Sequence, residues 1–182
     1  MSDHAFLAVS PSDDERYALS AALAEASPGA FIPGRRAPVE NWHMTLRFLG
    51  ECTELQAEQV VHRLSEMIDA GPERIWCVGL GAFPKPSKAN VVYVVMDDPK
   101  GILGYLAAVS DEAATDAGFE PENRPHVPHL TLSRLRPGRD VRSLFEAYGE
   151  FRVPISVEAV ALLRTRRTRD GLHYEPIDHI PL

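Results

Sequence analysis

A four-residue pattern occurs twice in this chain of 182 residues, as His43-Met44-Thr45-Leu46 and as His129-Leu130-Thr131-Leu132. With so few His and Thr in the chain, a random shuffle gives roughly 0.2 His-x-Thr triplets by template counting. An internal duplication explains the repeat better than coincidence. Side chains on a strand alternate between faces, so a His and a Thr two apart point the same way. Met44 and Leu46 then share the opposite face, as do Leu130 and Leu132. If the two strands pair across a pseudo-twofold axis, two imidazoles face one cavity. One neutral His can take a proton from a nucleophile while a protonated His gives one to the leaving group. The Thr hydroxyls can donate to non-bridging phosphate oxygens. A single His on a strand is more often a surface or hydrogen-bonded residue. A metal site at His43 and His129 is the other alternative, but no third His, Asp or Glu recurs at a ligand-like offset and no H-E-x-x-H is present.

Around the repeat, short strands alternate with amphipathic helices. His4 to Val9 reads as a strand. Ser12-Asp13-Asp14-Glu15 is a capping box that starts a helix to about Ala26. Pro28–Pro38 is a loop. A strand follows over Trp42–Leu49, closed by Gly50. Thr53-Glu54-Leu55-Gln56 is a second capping box, and Val60, Val61, Leu64, Met67 and Ile68 mark one face of its helix. Ile75–Phe83 and Asn90–Met96 are strands around the turn Pro84–Lys88. Asp98-Pro99 reads as N-cap and N1 of a helix ended by Gly118. A loop at 120–128 leads to a strand over His129–Arg134, and Asp140 caps a short helix to about Tyr148. Ile155–Arg164 and Leu172–Ile177 are strands joined through Asp170-Gly171, a hairpin signal. The fold class is α+β. Two pseudo-symmetric lobes of antiparallel sheet, with outer helices, enclose a central cleft in one bilobal domain over 1–182.

Net charge is −7, which argues against coating long nucleic acid through phosphate contacts. The charge is uneven: residues 1–123 carry a balance of −10 and residues 124–182 one of +3. A locally cationic C-terminal third can still hold one or two phosphates. Cys52 and Cys77 are the two cysteines. So few thiols suggest a reducing compartment, with the cytoplasm as default. No apolar run is long enough to span a bilayer, and Met1-Ser2-Asp3-His4 lacks the basic flank of a signal peptide.

At these residues the chain resembles the two-histidine phosphoesterase superfamily, in particular the RNA 2′,3′-cyclic phosphodiesterases historically called 2′–5′ RNA ligases. The resemblance runs through Phe6-Leu7-Ala8-Val9, Glu40 to Glu51, Gly118-Phe119, Arg124 to Arg134 and Gly171-Leu172-His173-Tyr174. It implies that His43 is the proton donor and His129 the acceptor. Spacing alone leaves these two roles open. The resemblance also implies that Thr45 and Thr131 bind the phosphate, and that no metal or organic cofactor takes part. Arg134 matches a basic position of that family near the phosphate. Strict alternation puts it on the face opposite His129, so it reaches the cleft if the strand bends or ends there. Arg47 has the right parity with His43 to join the substrate-binding set, and a surface role suits it equally well. His126 stands where an aromatic residue is more common, which bears on base stacking.

Other residues read more plainly. Phe6 and Phe48 are expected in the core rather than stacked on a base. Arg164, Arg166, Arg167 and Arg169 suit either RNA phosphates or a charged hairpin edge. Lys85 and Lys88 read as loop lysines. The implied reaction is metal-independent hydrolysis of an RNA or nucleoside 2′,3′-cyclic phosphate end to a 2′-phosphate. The expected partner is such an RNA end or a cyclic nucleotide, with no membrane, bound by a monomer. Rival readings are 2′–5′ RNA end joining at the same histidines, another cyclic phosphodiesterase such as one for ADP-ribose 1″,2″-cyclic phosphate, and a nucleotide- or RNA-binding module without turnover.

Overall fold

A computed structural model describes residues 4–169 and 171–182. Asp170 of the hairpin signal and the N-terminal Met1, Ser2 and Asp3 lie outside the described residues. The elements in chain order are β1 (His4–Val9), α1 (Asp13–Ala26), β2 (Arg35–Arg36), β3 (Met44–Glu51), α2 (Glu54–Met67), β4 (Glu73–Phe83), β5 (Ala89–Asp97), α3 (Ile102–Asp116), β6 (His129–Arg139), α4 (Arg142–Ala147), β7 (Val153–Val157), β8 (Ala159–Thr168) and β9 (Gly171–Pro181).

The described strands join one antiparallel sheet in the order β7-β4-β5-β6-β3-β1-β8-β9, with β2 alongside β6. Reading outward from the middle, β3-β1-β8-β9 mirrors β6-β5-β4-β7. Each half contains a strand–helix–strand unit that ends on a motif strand: β1–α1–β3 and β5–α3–β6. The halves meet where Met44 of β3 pairs with Leu130 of β6. These are the residues immediately after the two motif histidines. The two-lobed expectation therefore holds, with both lobes drawn from one continuous sheet.

Helices cover one face. Val60 and Leu64 of α2, Leu103 and Leu106 of α3 and Leu19 of α1 pack against Leu7, Met44, Val94, Leu130 and Leu162 of the sheet. Burying each such side chain contributes about 1.5–3 kcal/mol before conformational entropy is counted. Both capping boxes form. The Ser12 hydroxyl accepts from the Glu15 amide, and the Glu15 carboxylate accepts from the Ser12 amide. Thr53 and Gln56 repeat the exchange on α2.

Three expectations need correction. The strand expected over Ile155–Arg164 is two strands. β7 pairs with β4 at one end of the sheet, and β8 pairs with β1 and β9 in the other half. Glu158 alone separates them, so two alternating apolar stretches read as one. Helix α3 starts at Ile102 rather than behind Asp98. Its N-cap is Gly101 at φ 70°, and Asp98 reaches across the turn so that its carboxylate accepts from the amides of Ile102 and Leu103 at 3.0 and 2.9 Å. Within the Pro28–Pro38 loop lies β2, two exposed arginines too short to show a period. Among the described residues no helix is long and apolar enough to cross a membrane.

Candidate active site

The uncovered face of the sheet carries both motif histidines. His43 precedes β3, and its Nδ1 lies 2.7 Å from the Asn41 carbonyl. His129 opens β6, and its Nδ1 lies 2.7 Å from the Val127 carbonyl. The two contacts are equivalent, each to the carbonyl two residues upstream. A carbonyl only accepts, so Nδ1 donates in both rings and Nε2 is left for chemistry. Nε2 of His43 is 3.1 Å from the Thr45 hydroxyl, which donates to it in the neutral ring.

Aromatic rings fix each imidazole. Phe6 of β1 and Tyr174 of β9 each have their ring centre 4.9 Å from that of His43. Phe83 of β4 and Tyr93 of β5 sit 5.0 and 5.3 Å from His129. Phe6 and Tyr93 come from equivalent strands of the two halves, β1 and β5, whereas Tyr174 and Phe83 come from β9 and β4, which do not correspond. Burial pushes His43 down to about 4, and the charges of His129, Arg16 and Arg134 push the same way against the Asn41 carbonyl. Burial also lowers His129, with His126 and Arg134 adding to it and the Val127 carbonyl opposing. The imidazoles are thus close enough to feel one another, and Arg134 acts on both.

Two β-bulges decide which neighbours join them. In the β5–β6 ladder, Tyr93 pairs with Thr131 and Val92 with Ser133, so Leu132 is an extra residue. A bulge shifts the alternation by one. Ser133 turns to the helix face, fully buried, and Arg134 turns to the face of His129 and Thr131. Strict alternation had put Arg134 on the far side, and the bend that brings it back is this bulge. In the β1–β3 ladder, Ala8 pairs with Thr45 and Leu7 with Arg47, so Leu46 is extra. The bulge follows the same motif residue in both strands.

The same shift removes Arg47 from the cleft, correcting the parity expectation. Its guanidinium is buried against α3, with Nε 2.6 Å from an Asp111 carboxylate oxygen and further bonds to the Phe48 and Glu120 carbonyls. Phe48 takes the cleft position in its place, 58% exposed and with its ring centre 5.8 Å from that of Phe6. Phe48 is thus not a core residue. Phe6 is buried, but with Ala8, Ala161, Leu163 and Tyr174 on the histidine face.

The LigT like Phosphoesterase family model matches residues 9–93 and 96–174 of this chain. The chain belongs to this family. The Aeropyrum pernix RNA 2′,3′-cyclic phosphodiesterase is 33% identical over 150 residues, covering 80% of this chain and 85% of the relative. The Aquifex aeolicus protein of the same name is 31% identical and covers 83% of each chain. Among solved structures, a Thermus thermophilus protein superposes with a TM-score of 0.77 at 26% identity over 98% of this chain and 97% of its own. Escherichia coli LigT complexed with 3′-AMP gives 0.80 at 24% identity over 100% and 99%, a likeness of fold.

In this LigT-like phosphoesterase several site residues carry no sequence signal of their own. Tyr174, Phe83 and Tyr93 are ordinary strand aromatics until the sheet brings them to the histidines. Arg16 of α1 donates through Nε to the Trp42 carbonyl at 3.3 Å, beside His43. It helps line a pocket of ≈ 420 Å³ with Ser12, Asn41, Trp42, His43 and Tyr174. Nε2 of His126 is 3.0 Å from the Thr45 carbonyl and ties the second motif's approach loop to the first motif. Among the described residues no three His, Cys, Asp or Glu are grouped to hold a metal ion.

Proposed function

We propose that the chain hydrolyses RNA or nucleoside 2′,3′-cyclic phosphate ends to a 2′-phosphate without a metal ion, using His43 and His129 as acid and base. One observation carries this reading: each imidazole commits Nδ1 to a backbone carbonyl two residues upstream, which leaves Nε2 for chemistry in both rings. Water attacks phosphorus and loses its proton to Nε2 of His129. The P–O3′ bond breaks, and Nε2–H of His43 protonates the departing O3′. Thr45, Thr131 and Arg134 hold the non-bridging oxygens, whose charge grows as the bond to water forms. An anion bound there also raises both imidazole pKa values, which restores the proton the acid needs. The names of the Aeropyrum and Aquifex relatives support the same substrate class.

The test is adenosine 2′,3′-cyclic phosphate incubated with the protein in EDTA, with the product phosphate position read by 31P NMR. The expected product is the 2′-phosphate. His43→Ala and His129→Ala each lower kcat by about 10²–10⁴-fold, the usual worth of one positioned acid or base. Near-wild-type rates in either variant, or activity that EDTA abolishes, reject the reading.

A further inference from the structure

β2 pairs with β6 through Arg35 opposite Arg134 and Arg36 opposite Ser133. Directly opposed residues of an antiparallel ladder point to one face. Arg35 therefore stands beside Arg134 on the histidine face. Arg36 points to the reverse face, where its guanidinium carbon lies 5.5 Å from the ring centre of Phe31. Past Arg134 the ladder is irregular again, with Val91 opposite Arg134 and Ala89 opposite Arg139, so strand parity assigns no face to Arg136. The histidine face here holds two opposed arginines, Arg35 and Arg134.

Like charges directly opposite each other destabilise a ladder. Among the described residues no carboxylate forms an ion pair with Arg35, Arg134 or Arg136. The segment is nevertheless pinned in place. The Ala37 amide donates to the Leu132 carbonyl at 2.8 Å, and the Ser133 hydroxyl donates to the Pro33 carbonyl. Gly34 has φ +91°, and a Cβ there would fall 2.5 Å from the Arg134 carbonyl oxygen. The fold fixes the backbones of Arg35 and Arg134 opposite each other despite their like charge, and an anion bound between the two side chains would relieve that repulsion.

We infer that Arg35, with Arg134, forms a second phosphate subsite that takes the phosphodiester on the 5′ side of the cyclic end. Arg134 faces the scissile phosphate, and Arg35 extends the cationic surface from β6 onto β2. The subsite selects an RNA strand over a mononucleotide and reads no base, since phosphate contacts position without specifying sequence. This rests on the function proposed above.

The experiment compares kcat/KM of wild type, Arg35→Ala and Arg36→Ala on adenosine 2′,3′-cyclic phosphate and on a cyclic-ended trinucleotide, across a salt series. Wild type favours the trinucleotide. Arg35→Ala lowers the trinucleotide value about tenfold more than the mononucleotide value, the worth of one charged hydrogen bond. The slope of log kcat/KM against log salt flattens by about 0.7, one phosphate contact to a single strand. Arg36→Ala removes the same charge from the reverse face and changes the substrate ratio by less than about twofold, a screened long-range effect. Equal losses on both substrates, equal effects of the two variants, or no wild-type preference overturn the subsite. If wild type turns over neither substrate, the catalytic reading fails. The subsite is then judged by fluorescence anisotropy of a labelled trinucleotide ending in a 2′-phosphate, where Arg35→Ala must weaken Kd more than Arg36→Ala does.

Discussion

Met44 lies directly opposite Leu130 in the sheet, and each follows one of the two motif histidines. The pair sits on the seam between the halves, where a pseudo-twofold axis carries one motif onto the other. Both side chains are buried, at 1% and 0% exposure, under the helices. Core packing on the far side of the sheet therefore holds the seam at which the two motif strands meet.

Leu130→Ala is expected to lower stability by about 2–5 kcal/mol, the range for a buried Leu truncated to Ala. Because the cavity opens beneath the seam, kcat should fall even where the variant remains folded. Urea unfolding together with kcat at a temperature well below the midpoint checks both. An unchanged kcat in a destabilised variant would show that the seam does not position the histidines.

The pH dependence follows from the direction of the two shifts. Burial holds both imidazoles below the ordinary 6.5, His43 at about 4. The proposed catalysis needs one proton shared by the pair. In the free protein both imidazoles titrate below 6.5, so the singly protonated pair belongs to that acid range. The bell in kcat/KM should thus peak below pH 6.5. The bell in kcat should lie higher, because the bound phosphate anion raises both pKa values. A kcat/KM optimum at or above about pH 7 contradicts this account.

Arg47 makes a stability prediction where its motif parity suggested a binding one. Arg47→Leu leaves the Asp111 carboxylate without its cation, with the Glu122 amide still donating to it at 3.0 Å. A cost of about 2–3 kcal/mol is expected, less than the ~3–5 kcal/mol of a fully buried pair because Asp111 keeps some water. KM on a cyclic mononucleotide should stay within about twofold, as for a residue that touches no substrate. Thermal melts and steady-state kinetics separate the two outcomes. A large rise in KM at unchanged stability would return Arg47 to the substrate.

The repeated motif was legible because strand alternation puts a His and a Thr two residues apart on one face, and the pattern occurs twice. The capping boxes were legible because their hydrogen bonds are local. Arg134 and Arg47 were not, since parity along a strand holds only while the ladder is regular. Leu132 and Leu46 look like any other apolar strand residue, and their being extra is decided by the pairing with β5 and β1. Tyr174 and Phe83 reach the histidines through strand order, which one chain's sequence does not spell out. β2 escaped notice because two residues have no period and its pairing is long-range.

The matched irregularities after Thr45 and Thr131 bear on how such a molecule diverges. A regular strand can arise many times, but the same one-residue slip at the same place in both copies points to a single ancestral segment that was doubled. Because each slip swings the fifth residue after the histidine into the open, each copy inherited a free slot beside its imidazole. One slot now holds a ring at Phe48 and the other a cation at Arg134. A twofold scaffold has in this way become a handed one.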